Sequence, residues 1–306
     1  MTIRRYDADR PIAIYTDEEQ QKLLVDLGLS SLFAEVRIVP AAHRSIVGFK
    51  HHLQEFHPFE RNLFVDSDMI WCRNPDPLWK NLSGYSFTAT GVETADFFFG
   101  GPKNARVVTD YLTNRRKKTL RHFGVTYLPR VQAGMIYSSD LETCQMVCQE
   151  AREMLDRRKE THFRSRLIEG RSEESCEWSM ALAMARLNLP IYPWRQAQNT
   201  PQLDYISDFV DHDPDFHHVS CTYFNDPKVS RLREFPHPLP RDFGIWLSQR
   251  IPGRGDHMQI TPFTLHFGWL QYKETFWQFA DRIWDEATAA SRSNLDGKEA
   301  LRSGRT

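Results

Sequence analysis

Two carboxylates, Asp66 and Asp68, directly follow the apolar run at residues 63–65. Such a run is typical of a buried strand, and side chains two positions apart in an extended chain point the same way. Both carboxylates can therefore face one ion, whereas without an ion they repel each other in apolar surroundings. Magnesium and manganese favour oxygen ligands and usually bind one or two carboxylates plus substrate phosphates. The spacing predicts a divalent-metal site; the alternative is a turn cap at Asp66 and a solvated Asp68.

Strand and helix patterns alternate around this pair. Strands are predicted at residues 12–15, 35–39, 63–65, 85–90, 133–137, 190–194 and 263–267, and helices at 18–29, 47–56, 141–158, 175–187 and 273–290. This alternation predicts an α/β fold with a mostly parallel central sheet and helices on both faces. Ligands of such sheets bind beyond the carboxyl ends of the strands, which is where Thr16, Asp17, Asp66 and Asp68 fall.

Length and composition predict one domain over residues 1–290, followed by a flexible tail at 291–306. Residues 195–255 are rich in Pro, Asp and His, which predicts long loops or a small lobe. The net charge of -1, from 39 basic and 40 acidic residues, gives no positive field to hold nucleic acid. Five cysteines without a CxxC pair favour a reducing compartment. We expect a cytoplasmic protein, free or peripheral to a membrane, with no integral span.

Other segments accompany the two aspartates. They are Lys50 ahead of the 63–65 strand, Gln132-Ala133-Gly134, Cys176-Glu177 at a helix start, and Leu265-His266-Phe267 with Lys273 after it. Together with residues 63–79, in which the DxD pair is followed by a Pro and an apolar residue, they resemble the GT-A glycosyltransferases. The resemblance is to the glycogenin and lipopolysaccharide-galactosyltransferase type, and this chain departs from that type at Cys176, which replaces the usual acid.

The resemblance implies the GT-A, Rossmann-like fold of nucleotide-diphospho-sugar transferases. The implied activity is transfer of a sugar from a nucleotide-diphosphate donor, by default a UDP-sugar, with retention of anomeric configuration. It implies Mn2+ or Mg2+ held by Asp66, Asp68 and His266, and Glu177 and Gln132 as catalytic candidates. The implied donor-binding residues are Thr16, Asp17, Lys50, Ser67, Ala133, Gly134 and Lys273. The acceptor, a glycan, lipid, protein or small molecule, would then meet residues 195–255.

Each of these residues also has a purely structural interpretation. His266 can be a satisfied core histidine, Glu177 a first-turn acid that stabilises its helix, and Gln132 an ordinary strand-end amide. Lys50 and Lys273 can belong to solvated helix faces. Two metal-capable stretches are interpreted as structural: residues 211–218 as a solvated loop, and Cys144 with Cys148 as a buried helix face.

Two rival functions stay open from the sequence. A nucleotidyltransferase can share a related fold, but such enzymes usually carry a Gly-rich basic signature near the N-terminus, where residues 15–19 are acidic and lack glycine. A catalytically inactive sugar- or nucleotide-binding scaffold is the other rival. Both aspartates together with His266 favour an active enzyme, whereas Cys176 favours the scaffold.

Overall fold

The computed structural model describes residues 2–92, 112–167, 170–194, 196–207, 209–224, 237–250, 257–268 and 272–303. The strands are β1 (Ala13–Thr16), β2 (Glu35–Ile38), β3 (Asn62–Val65), β4 (Met69–Trp71), β5 (Phe87–Val92), β6 (Arg130–Ser138), β7 (Tyr192–Pro193), β8 (Gln202–Asp204), β9 (Val210–His212), β10 (Val219–Phe224), β11 (His257–Ile260) and β12 (Thr264–His266). The helices are α1 (Glu18–Asp26), α2 (Ile46–Lys50), α3 (Asp76–Leu82), α4 (Arg115–His122), α5 (Leu141–Asp156), α6 (Glu177–Arg186), α7 (Pro238–Arg250) and α8 (Lys273–Ser303).

The predicted α/β class is confirmed, with strand directions that are mixed among the described strands rather than mostly parallel. The pairs β1–β2, β5–β7 and β8–β12 run parallel. Strand β6 is antiparallel to both β3 and β5, β12 is antiparallel to β4, and β10 is antiparallel to both β9 and β11. The apolar pattern of a short strand is the same whichever way the strand runs, so the sequence did not reveal which strands are antiparallel.

Two strands of three residues each, β4 and β8, are brought together by β12. This strand lies between β4 and β8, with His266 opposite Met69 in β4 and opposite Asp204 in β8. The Phe267 N–H donates to the Asp68 carbonyl at 2.9 Å, and the Tyr205 N–H donates to the His266 carbonyl at 2.8 Å. These bonds fix the end of β12 between the DxD turn and the end of β8.

Three groups of buried apolar side chains hold the elements together. The largest joins β5 and β6 to α5 and α6, and it includes Trp178 and the cysteines Cys144 and Cys148. A second packs β8 to β12 against α8 through Phe216, Phe267 and Phe279, and a third lies around β4 and α3. All five cysteines are free and buried, which agrees with the interpretation of Cys144 and Cys148 as a buried helix face.

The structure adds detail to the second half of the chain. Residues 195–255 contain β8, β9, β10 and α7 in their described parts. Helix α8 runs past residue 290 to Ser303, because the expected tail has helix-favouring Ala, Leu, Lys and Glu residues and no Pro. Among the described helices, none combines the length and the apolar character that a bilayer crossing requires.

Candidate metal and donor site

Asp66, Asp68 and His266 converge at the end of β3, the start of β4 and the end of β12. Each offers one ligand atom, and the three atoms lie within 4.8 Å of one another. The His266 Nε2 atom is 3.4 Å from Asp68 Oδ1 and 3.9 Å from Asp66 Oδ2. Within the described part of the chain, this is the one group of three acidic, His or Cys side chains that could hold an ion.

This donor set fits a divalent cation. Two carboxylate oxygens and one imidazole nitrogen suit Mn2+, and the carboxylates alone suit Mg2+. The two aspartates lie on one short turn, and a backbone hydrogen bond holds each end of it. The Asp66 N–H donates to the Gly134 carbonyl at 2.9 Å, and the Asp68 carbonyl accepts from the Phe267 N–H. The backbone on both sides of Ser67 is therefore held by neighbouring strands, while Ser67 itself is exposed.

A lysine pairs with each of the two carboxylates. The Lys50 Nζ lies 2.8 Å from Asp66 Oδ1 and 2.9 Å from Asp66 Oδ2, at the end of α2. The Lys273 Nζ, at the start of α8, pairs with Asp68 Oδ2. Both lysines are largely buried, so the interpretation of each as part of a solvated helix face does not hold.

The charges of this group shift the pKa values of its members strongly. Burial opposes the ionised form of Asp68, yet the neighbouring His266 and Lys273 outweigh it and hold the Asp68 pKa well below its usual range. Burial also opposes the charge on His266, but hydrogen bonds and charges of Asp204 and Asp68 raise its pKa to about 10. In the same way burial acts against Lys50, and Asp66 nevertheless raises the Lys50 pKa. Without a cation, the two lysines and His266 compensate the carboxylates.

Glu177 and Cys176 lie at the start of α6, beside Lys50. Burial raises the Glu177 pKa to about 7, against the opposing charges of Lys50 and Arg130, and Asp204 contributes to the rise. Burial likewise raises the pKa of the Cys176 thiol to about 12, so this residue stays a neutral thiol. Of these two residues, Glu177 is the one that can gain or lose a proton near neutral pH.

Gln132, on β6, lies next to the metal-ligating group, on the Nδ1 side of His266. Its Oε1 accepts from the Gly134 N–H at 2.6 Å and from Gln202 Nε2 at 2.7 Å, and its amide nitrogen lies 2.8 Å from His266 Nδ1. Gly134 leaves room for this arrangement, because a Cβ there would sit 2.7 Å from Gln132 Oε1 and 2.9 Å from Met69 Cε. The Ala133 side chain points away from this network, into the largest core cluster.

The described side-chain hydrogen bonds of Thr16 and Asp17 are with α1. The Asp17 carboxylate caps that helix by accepting from the Gln20 N–H at 2.8 Å, and the Thr16 hydroxyl donates to Gln20 Oε1 at 2.6 Å. Both residues nevertheless lie at the carboxyl end of β1, as the sequence predicted. Their role toward a nucleotide stays a prediction.

The sequence analysis did not identify Asp204, which lies at the end of β8. Its Oδ1 is 2.9 Å from His266 Nδ1, on the opposite side of the ring from Asp66 and Asp68. Asp204 ends a short segment, Gln202-Leu203-Asp204, inside the region that looked like loops. An acid at the end of an apolar alternation, as at Asp66, was the signal that could have found it.

Comparisons with known proteins give structural matches alone. No protein-family profile matches the chain, and no curated protein matches it in sequence. Among solved structures, it is similar to a galactosyltransferase, LgtC, in complex with donor and acceptor sugar analogs, at 11% identity, with 90% of this chain and 88% of that chain covered and a TM-score of 0.44. An active-site mutant of LgtC matches at 11% identity, over 92% of this chain and 89% of that chain, with a TM-score of 0.45. Scores at this level do not identify a reaction, so the proposal below depends on the site geometry.

Proposed function

We propose that this chain is a metal-dependent glycosyltransferase of the GT-A type that uses a nucleotide-diphosphate sugar as its donor. The observation that carries the proposal is the convergence of Asp66, Asp68 and His266 with a buried lysine on each carboxylate. Carboxylates plus nearby lysines are a combination that suits a cation together with phosphate oxygens. The motifs that resemble GT-A glycosyltransferases in sequence support the same assignment.

Asp66, Asp68 and His266 would hold Mn2+ or Mg2+. When bound, the cation supplies positive charge to the two donor phosphates as the nucleoside diphosphate leaves. Lys50 and Lys273 each compensate a carboxylate in the ligand-free protein. Once another positive charge meets those carboxylates, both ammonium groups become available to the donor phosphates as point charges.

Glu177 is the first catalytic candidate. Its pKa of about 7 lets this carboxyl group hold or accept a proton near neutral pH. Placed beside Lys50, it can stabilise an oxocarbenium-like sugar or take the proton of an acceptor hydroxyl. Gln132 is the second candidate, and its contacts with Gly134, Gln202 and His266 also support the shape of the site.

Several finer parts of the proposal are supported by sequence resemblance alone. They are the UDP-sugar donor, retention of anomeric configuration, donor contacts of Thr16, Asp17, Ser67, Ala133 and Gly134, and a cytoplasmic location. The same holds for a single catalytic domain over residues 1–290. The acceptor is a glycan, lipid, protein or small molecule, met by the segments between residues 195 and 255.

Calorimetric binding of UDP, GDP, ADP and CDP, each with and without Mn2+, tests the donor site. We expect one nucleotide to bind only with Mn2+, and Asp66→Ala and Asp68→Ala to weaken this binding by about 100-fold or more, since each removes a charged ligand. Asp211→Ala is the matched control, because Asp211 is an exposed aspartate on β9. Failure of the wild type to bind any nucleotide with Mn2+ would rule out the donor site.

Donor turnover then separates an enzyme from an inactive scaffold. Purified protein with Mn2+ should hydrolyse the matching nucleotide sugar slowly, with water in place of the acceptor. Glu177→Gln should reduce this turnover while nucleotide affinity stays within about threefold, because the amide keeps the shape and loses the proton-accepting group. Nucleotide binding without any turnover would favour the scaffold.

A further inference from the structure

Asp204 makes its described contact with the face of His266 that points away from the other two ligands. Its Oδ1 lies 2.9 Å from Nδ1, whereas Nε2 of the same ring faces Asp66 and Asp68 at 3.9 Å and 3.4 Å. The parallel register of β8 and β12 places Asp204 directly opposite His266, and the Tyr205 N–H to His266 carbonyl bond continues that pairing. The contact therefore follows from strand pairing rather than from a mobile loop.

The protonation of the ring follows from the chemistry of this partner. An ionised carboxylate can only accept a hydrogen bond, so the proton shared with Asp204 belongs on Nδ1. A neutral imidazole with its proton on Nδ1 has its lone pair on Nε2, the atom that faces Asp66 and Asp68. The opposite tautomer would present an N–H to that space and could not bind a cation.

Two more groups restrict the ring. A Cβ at Gly268 would come within 2.6 Å of the His266 Cε1, so there is little room on that side of the ring. The NH2 group of Gln132 lies 2.8 Å from Nδ1 and, taken alone, favours a lone pair on that atom. The full negative charge of Asp204 at 2.9 Å opposes this and favours a proton on Nδ1, because a hydrogen bond to an ionised group is stronger than one between neutral groups. Asp204 does not belong to the group of side chains that could hold one ion together, which consists of Asp66, Asp68 and His266. Its charge thus acts on the ring, not on the ion itself.

We propose that Asp204 is a positioning residue that fixes the Nδ1–H tautomer and the ring orientation of His266 for divalent-cation binding. The inference deepens the proposed function and rests on it, because it concerns how the same site recognises its cation. A carboxylate that orients a metal-ligating histidine typically changes metal affinity by about 10–100-fold when it is replaced.

Binding of Mn2+ and Co2+ to the full chain, without nucleotide, tests this role. Asp204→Asn should weaken Mn2+ binding by about 10–100-fold, because the amide no longer dictates which ring nitrogen carries the proton. Asp211→Asn, which removes the same charge from an exposed position on β9, should leave the affinity within twofold. The visible absorption of bound Co2+ should change in Asp204→Asn, which a general loss of stability would not produce at saturating metal.

The outcomes separate this inference from the proposed function. If the wild type binds Mn2+ and Asp204→Asn binds it equally well with the same Co2+ spectrum, the positioning role is wrong and the metal site stands. If the wild type binds neither ion, both proposals fail. If Asp204→Asn does not fold, Asp204→Glu decides, because it keeps the charge and moves the carboxylate relative to Nδ1. Weaker Mn2+ binding with a changed Co2+ spectrum supports the role, and wild-type affinity with an unchanged spectrum overturns it.

Discussion

Two regions of this molecule are rich in Asp and His, and they use those residues in opposite ways. In the metal-ligating group, ligand atoms of Asp66, Asp68 and His266 lie within 4.8 Å of one another, and lysine side chains pair with the two carboxylates. In the segment 211–218, the Asp213 carboxylate accepts from three backbone N–H groups, of Asp215, His217 and His218, at 2.7 to 3.0 Å. The first region pairs its carboxylates with side-chain cations that a metal ion can replace, whereas the second uses its carboxylate to fold a turn.

The histidines differ in the same way. His212 stacks on the Phe216 ring with centroids 4.0 Å apart, and both of its ring nitrogens have partners, in the Tyr205 hydroxyl and the Asp213 carbonyl. His266 has one nitrogen on Asp204 and leaves the other toward two carboxylates. The prediction that 211–218 is a structural loop rather than a second metal site agrees with these contacts. Residue type and density therefore do not locate an ion, whereas the convergence of several ligand atoms does.

Of the three changes that test this comparison, Gly268→Ala should have the largest effect on metal affinity. The added Cβ would lie 2.6 Å from His266 Cε1 and 3.2 Å from Nδ1, so the ring has to leave its present position relative to Asp66 and Asp68. We expect Mn2+ affinity to fall by about 10–100-fold, as for loss of an orienting contact. Calorimetry measures it, and Gly84→Ala is the control because nothing lies within 4 Å of a Cβ there. Unchanged affinity in Gly268→Ala would mean that His266 does not bind the ion.

A change of pH should have the next largest effect on metal affinity. His266 has a folded pKa of about 10, above its usual 6.5, so its contribution to the stability of the ligand-free protein is full below pH 6.5. That contribution is lost as the pH rises toward 10. A cation must displace the proton from Nε2, so Mn2+ affinity should instead rise, by up to about tenfold per pH unit.

Measurements between pH 7.5 and 9.5 isolate this effect from Glu177, whose pKa of about 7 is already passed. Thermal unfolding with chelator and Mn2+ calorimetry should move in opposite directions over this window in the wild type. His266→Gln provides the reference for other groups that titrate there, including the cysteine thiols of the unfolded chain. Parallel slopes in the two proteins would contradict the assigned role of His266.

Asp213→Ala should change metal affinity least. Three backbone N–H groups lose their charged acceptor, so we expect a loss of about 1–2 kcal/mol in the free energy of unfolding. Urea unfolding measures this loss, with Asp211→Ala on the same segment as the control. Mn2+ affinity of the folded variant should stay within twofold of the wild type. A larger change in affinity would show that the two regions are not separate in function.

Sequence by itself located the parts of this site that are local. The DxD pair was identified because strand geometry makes residues at i and i+2 point the same way, and this needs no knowledge of the rest of the chain. His266 and the two lysines were suggested by resemblance of motifs. The expected alternation of strands and helices also survived, since it depends on periodicity within each short segment.

Tertiary structure alone decided which distant residues meet those aspartates. Asp204 and His266 are 62 positions apart, Gln132 and His266 are 134 apart, and Lys273 and Asp68 are 205 apart. Their contacts depend on β12 lying between β4 and β8, a pairing that apolar periodicity cannot reveal because it is the same for every strand order. Propensity and pattern act over a few residues, whereas the partner of His266 is set by strand register.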